Sequence, residues 1–209
     1  MEKPVLKVCG MRDPQNIDAV IAAGADLIGL IFYEKSKRNI DAEAGERLVK
    51  NLPPVKKVGV FVNEQPKVVR NRIVVFALDF VQLHGEESVE YCENLRDTGV
   101  KIIKVFSVGS DFNFPETEKY EAVADYFLFD TKGKQRGGNG VKFDWNILQN
   151  YRGKIPFLLS GGIGEEDAEA VRDFEHPLFL GVDVNSGFET EAGRKDARAV
   201  GRFSARVIR

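Results

Sequence analysis

A lysine and a cysteine two residues apart open the chemistry of this chain. In Val5-Leu6-Lys7-Val8-Cys9-Gly10 an apolar run carries both, then breaks at a glycine ahead of Asp13-Pro14. Strand side chains alternate between faces, so Lys7 and Cys9 share one face while Leu6 and Val8 take the other. An amine and a thiol on a buried face are costly for a merely structural strand, and the pair reads as the floor of a site. A nearby ammonium favours thiolate over thiol, which makes Cys9 a candidate base or nucleophile. Cys92 is the control: it falls with Val89 and Leu95 at helical spacing and reads as core.

Four further groups extend the list. Asp130 ends the run Tyr126-Phe127-Leu128-Phe129, ahead of a glycine-rich loop. It can cap the following turn, pair with Lys7 across a closed sheet, or act as an acid. Asp183 ends another apolar run, and its strand-end position makes it the other carboxylate able to absorb the charge of Lys7. His84 reads as a hydrogen-bonded strand-end histidine. His176 is the only other histidine, neither has a second ligand at metal spacing, and no metal is expected. Arg38, in Lys35-Ser36-Lys37-Arg38, is either one member of a solvated charge run or a guanidinium placed to grip a carboxylate.

Three glycine clusters carry a separate signal: Gly137-Gly138-Asn139-Gly140, Ser160-Gly161-Gly162-Ile163 and Asn185-Ser186-Gly187. Glycine lets backbone N–H groups converge on an anion, so three clusters at successive strand ends point to a phosphorylated small molecule.

The elements that must position these residues alternate along the chain. Apolar runs of strand length fall at 5–9, 26–32, 57–62, 79–84, 101–106, 126–130, 157–160 and 178–183. Helical patterns separate them at 13–24, 41–51, 65–76, 85–99, 145–151 and 166–174, and a closing helix is expected at 196–207. The segment 107–124 predicts an irregular or short fifth helix. Strict alternation argues a parallel sheet, and eight units argue an α/β, single-domain (β/α)8 barrel with short loops over 1–209. An open doubly wound sheet is the alternative, lowered by the lack of G-x-G-x-x-G after the first strand.

Composition narrows the class. A chain of 209 residues, 43% hydrophobic, buries a sizeable core. A net charge of −2 from dispersed residues leaves no footprint for nucleic acid. No apolar run reaches the roughly 18 residues of a membrane span, and the start carries no leader-like apolar stretch. Two cysteines make a disulfide framework unexpected. The expectation is a cytoplasmic protein, monomer or homodimer, with no nucleic-acid or membrane partner.

Taken together the motifs resemble the phosphoribosylanthranilate isomerase family. Lys7-Val8-Cys9-Gly10 is similar to its opening motif and Val81-Gln82-Leu83-His84-Gly85 to its fourth-strand signature. Asp130-Thr131, Gly137 to Gly140 and Phe143-Asp144-Trp145 follow its central segment. Ser160 to Ile163 and Val182 to Glu189 follow its last two strand ends. The departures are Asn139 for a usual threonine, Asn185 for a usual serine, and Lys37 for the proline that commonly precedes the loop arginine.

The resemblance implies an Amadori rearrangement in tryptophan biosynthesis with no cofactor. Asp130 is the implied general acid, opening the furanose to a Schiff base, and Cys9 the general base that removes the C2 proton. Arg38 would hold the anthranilate carboxylate. Backbone around Gly138, Asn139, Gly140, Gly161, Gly162, Ser186 and Gly187 would hold the phosphate, with Lys7, His84 and Asp183 completing the substrate-facing set. Two rivals stand beside it. The related histidine-pathway sugar isomerase would carry an aspartate at Cys9, and an inactive phosphate-binding barrel serving as sensor or scaffold would have no need for Cys9, Asp130 and Arg38 together.

Overall fold

The computed structural model describes residues 3–41, 45–46, 48, 50, 53–131 and 143–208. Eight parallel strands close on themselves: β1 (Val5–Val8), β2 (Leu27–Ile31), β3 (Lys56–Phe61), β4 (Phe80–Leu83), β5 (Lys101–Val108), β6 (Tyr126–Thr131), β7 (Phe157–Ser160) and β8 (Phe179–Val184). β1 pairs with both β2 and β8, so no edge remains. The (β/α)8 expectation is met.

Alternation decides what each strand shows to each side. Leu6, Val8, Ile28, Leu30, Val81, Leu83, Phe127, Phe129, Val182 and Val184 face outward into the layer between sheet and helices. A second apolar cluster fills the barrel with Leu27, Ile31, Val58, Val60, Ile103, Val105, Leu128 and Leu158, and Cys9 belongs to it. Both faces are covered, which is why these strands read as near-continuous apolar runs.

The helices are shorter than their patterns suggested. α1 (Pro14–Ala22) starts as expected, with Asp13 accepting from the Asn16 N–H at 2.7 Å and Pro14 in the first turn. α2 (Pro66–Phe76) ends at Ala77 in a left-handed conformation, φ 45°. The pattern over 85–99 yields only α3 (Val89–Glu93) and a 3-10 turn (Arg96–Thr98). Phe114–Tyr120 and Trp145–Asn150 are 3-10 helices, and α4 (Ala168–Asp173) is preceded by one more 3-10 turn. Short connections leave no room for full helices, and the tighter coil spans the same gap with fewer residues. The helix expected over 41–51 lies largely outside the described residues.

One element was not anticipated. After β8 a 3-10 turn (Ser186–Phe188) leads into a two-stranded hairpin, β9 (Glu189–Glu191) and β10 (Arg194–Lys195), before α5 (Ala197–Arg206). Gly193 turns it at φ 87°. The hairpin folds Lys195 back under the end of β8.

Candidate active site

At the C-terminal mouth of the barrel one cavity gathers Cys9, Arg38, His84, Asp130, Gly161, Gly162, Asp183, Ser186 and Gly187. Lys7 lies beneath its floor, fully buried. Gly138, Asn139 and Gly140 lie outside the described residues.

The floor is built by register. Lys7 on β1 pairs with Asp183 on β8, and Ser160 on β7 pairs with the same aspartate. All three point inward, so Lys7 Nζ donates to Asp183 Oδ1 at 2.6 Å and Ser160 Oγ to Asp183 Oδ2 at 3.4 Å. Asp183 is therefore the carboxylate that pairs with Lys7. The alternative of Asp130 across the barrel does not occur, because Asp130 is engaged by His84.

Lys7 does not do to Cys9 what its position suggested. Burial alone would lower the Lys7 ammonium, but Asp183 and Cys9 together outweigh it and the net shift is upward. Burial pushes the Cys9 thiol up. Lys7 opposes that push, the Asp183 charge adds to it, and burial wins. The pull toward thiolate expected of Lys7 is thus outweighed, because desolvation of a buried sulfur anion exceeds the pull of an ammonium already neutralised by a partner. Gly29 makes the room for the sulfur: a Cβ there would sit 2.8 Å from Cys9 Sγ.

On the opposite wall Asp130 accepts from the Thr131 backbone N–H at 2.9 Å through Oδ1, and its Oδ2 lies 3.2 Å from His84 Nε2. His84 Nδ1 lies 3.0 Å from Gln82 Nε2. Gln82 and His84 share the inward face of β4, so the three form a chain across β4 and β6. His84 is the hydrogen-bonded strand-end histidine that its position implied.

A third group surrounds Arg38. Its Nε and Nη2 donate to Glu189 Oε1 and Oε2 at 2.7 and 2.6 Å, a bidentate grip. Lys195 Nζ donates to Glu189 Oε1 and to Asn185 Oδ1, each at 2.6 Å. The Asn16 carboxamide clamps the Lys195 backbone, accepting from its N–H and donating to its C=O, both at 2.8 Å. Burial would raise the Glu189 carboxyl, but hydrogen bonds from Arg38 and Lys195 outweigh it and hold it at about 2. Burial pulls the Lys195 ammonium below its ordinary value, only partly offset by Glu189. Gly10, at φ 75°, lets this group close: a Cβ there would lie 2.7 Å from Arg38 Cδ.

Gly161 and Gly162 run consecutively through left-handed conformations, φ 96° and 66°. A side chain on Gly161 would collide with the Thr131 hydroxyl and backbone, and one on Gly187 with the Ile163 carbonyl. The strand-end glycines therefore answer to close backbone approach, which is what an anion-binding turn requires.

Sequence reasoning assigned no role to Glu189, Lys195 or Gln82. Glu189 and Gln82 lie inside motifs that single out their neighbours. Lys195 had one usable signal, the Ala192-Gly193 turn between two short polar runs, which marks a hairpin.

Comparison with known proteins decides the family. The model of N-(5'-phosphoribosyl)anthranilate isomerase matches residues 6–206. The chain belongs to the N-(5'-phosphoribosyl)anthranilate isomerase family. It is an isomerase. The enzyme of that name from Parabacteroides distasonis is 47% identical over 207 residues, covering 98% of this chain and 93% of its own. That from Thermotoga maritima is 36% identical over 95% of each chain. A crystal structure of the Thermotoga maritima isomerase superposes with a TM-score of 0.88 at 34% identity, covering 98% of each chain. A crystal structure of a phosphoribosyl anthranilate isomerase in complex with reduced 1-(o-carboxyphenylamino)-1-deoxyribulose 5-phosphate gives 0.84 at 32% identity, again covering 98% of each.

Proposed function

We propose that this isomerase converts N-(5'-phosphoribosyl)anthranilate to 1-(2-carboxyphenylamino)-1-deoxyribulose 5-phosphate in tryptophan biosynthesis. The observation that carries the reading is the convergence of Cys9 from β1 and Asp130 from β6 on one cavity that also holds a guanidinium and a double-glycine turn.

The chemistry follows from these positions. Asp130, as general acid, gives its proton to the furanose ring oxygen, the C1–O bond breaks, and the anilino nitrogen pair forms the Schiff base. Cys9, as general base, takes the C2 proton, and that C–H electron pair flows through C1 to the iminium nitrogen. The resulting enolamine tautomerises: C1 gains a proton, the C2 hydroxyl loses one, and the ketone forms. The imine is itself the electron sink, so the residues named suffice for the step. Cys9 must lose its proton before it acts, and Lys7 is the ammonium placed to stabilise the charged sulfur once it does. Arg38 takes the anthranilate carboxylate, with Glu189 fixing the plane of its guanidinium. The phosphate lies against the turns at Gly161, Gly162, Ser186 and Gly187, where strands 7 and 8 of such barrels commonly hold one.

The test is turnover of phosphoribosylanthranilate followed by its fluorescence change. Cys9→Ser and Asp130→Asn should each lose about two to four orders of magnitude in kcat with the fold retained. A near-normal rate in either variant removes that residue from its role.

A further inference from the structure

The Gln82 carboxamide is nearly fully buried, 1% exposed, yet its Oε1 has no hydrogen-bond partner among the described residues. Its other end does the visible work, with Nε2 3.0 Å from His84 Nδ1. An amide nitrogen facing Nδ1 makes that ring nitrogen an acceptor. A neutral imidazole then carries its proton on Nε2, 3.2 Å from Asp130 Oδ2. In that arrangement both Asp130 oxygens accept, one from His84 and one from the Thr131 N–H, and neither is placed to donate. A general acid needs the opposite arrangement.

Turning the amide by half a revolution supplies it. The oxygen would then face Nδ1 and accept from an Nδ1–H, leaving Nε2 as an acceptor for an Asp130 O–H. Either orientation makes one bond to the ring, and among the described residues no donor reaches Oε1 to hold the amide in the first one. We propose that Gln82 is a positioning residue whose two-way carboxamide selects the His84 tautomer and thereby lets Asp130 be loaded with its proton. This rests on Asp130 being the acid.

The loading step balances. One proton from solvent adds to His84 Nδ1, the Gln82 oxygen turns to accept it, and the Nε2 proton crosses to Asp130 Oδ2. The imidazole ends neutral and the carboxyl protonated. The other titratable groups lining the cavity are Cys9, Tyr33, Arg38 and Asp183, with Lys7 below, and none of them is the hydrogen-bond partner found for the Asp130 oxygens.

Gln82→Met keeps the length of the side chain and removes both donor and acceptor. We expect kcat to fall about tenfold to a hundredfold while KM stays within about twofold, since the proton loading of Asp130 changes and the carboxylate and phosphate contacts do not. Side-chain 15N NMR of His84 separates this from a packing defect. The wild type at neutral pH should show a single Nε2–H tautomer, and Gln82→Met a mixture. In Gln82→Glu, whose carboxylate only accepts, Nδ1 should carry a proton. An unchanged tautomer in both variants, or wild-type kcat in Gln82→Met, overturns the proposal. The NMR readout needs no turnover, so it stands apart from the acid assignment, which fails on its own if Asp130→Asn remains active.

Discussion

Two buried lysine–carboxylate pairs sit on opposite sides of the same sheet, and they differ in how fully their bonds are filled. Lys7 and Asp183 lie inside the barrel, with side chains 0% and 5% exposed. Lys104 on β5 and Glu87 after β4 lie outside it, 4% and 1% exposed. The outer pair is saturated. Glu87 accepts from the backbone N–H groups of Asn63 and Gly85, and Lys104 Nζ donates to Glu87 at 3.0 Å and to the Gly85 carbonyl at 2.7 Å. It fastens the ends of β3 and β4 together. Among the described residues the inner pair is more sparsely bonded, with one close contact, a long one from Ser160 and the interaction of Lys7 with Cys9, and it borders a cavity. A buried ion pair contributes to stability when its remaining bonds are filled; one left sparse beside a cavity is kept for another reason.

Double replacement breaks the comparison most sharply. Lys7→Met with Asp183→Leu should fold with stability equal to or above that of the parent, as apolar replacements of buried pairs do, and lose about a hundredfold or more in kcat. Denaturant unfolding beside turnover measures both. Lys104→Met with Glu87→Leu should stay about 2–6 kcal/mol less stable, because the Asn63 and Gly85 N–H groups lose their acceptor. Equal outcomes for the two double variants would remove the distinction. Lys104→Met alone strands the Glu87 charge and should cost about 3–5 kcal/mol, with kcat per folded molecule close to normal.

Smaller effects sharpen the picture. Gly29→Ala forces a Cβ to 2.8 Å from Cys9 Sγ and should cost about 1–3 kcal/mol in overpacking, with a fall in kcat from a displaced sulfur. Glu189 is the intermediate case, ionised and held at about 2 against an ordinary 4.5. A carboxyl lowered on folding contributes stability above its unfolded value and loses it as pH falls toward its folded one. The stability gap between the parent and Glu189→Gln should therefore be full above pH 4.5 and close between there and about pH 2. A gap constant over that range would show that Arg38 and Lys195 do not hold Glu189 charged.

The barrel was legible because parallel strands covered on both faces leave long apolar runs, and the parity of Lys7 and Cys9 within one of them placed both inside. The same cost argument applies to Lys104 in Lys101-Ile102-Ile103-Lys104, where parity instead points outward to a structural partner. Helix lengths were not legible, since a 3-10 turn and an α-helical turn bury the same apolar spacing over a few residues. The state of Cys9 was not legible either: a sequence shows that a lysine is near, but not that Asp183 has already claimed its charge. The Glu189–Lys195 arrangement depends on a hairpin whose strands have three and two residues, too short for periodicity to reveal.

The bond between Lys7 and Asp183 joins residues 176 positions apart, and the strand pair that carries it is the one that closes the sheet. Loop closure of that span is among the slowest contacts a chain of this length can make. During synthesis the first catalytic candidate, Cys9, leaves the ribosome with the opening strand and then waits for nearly the whole polypeptide before its floor exists. Arg38 waits longer still, for Lys195. An unfinished chain of this protein holds half the reagents and no vessel to mix them in.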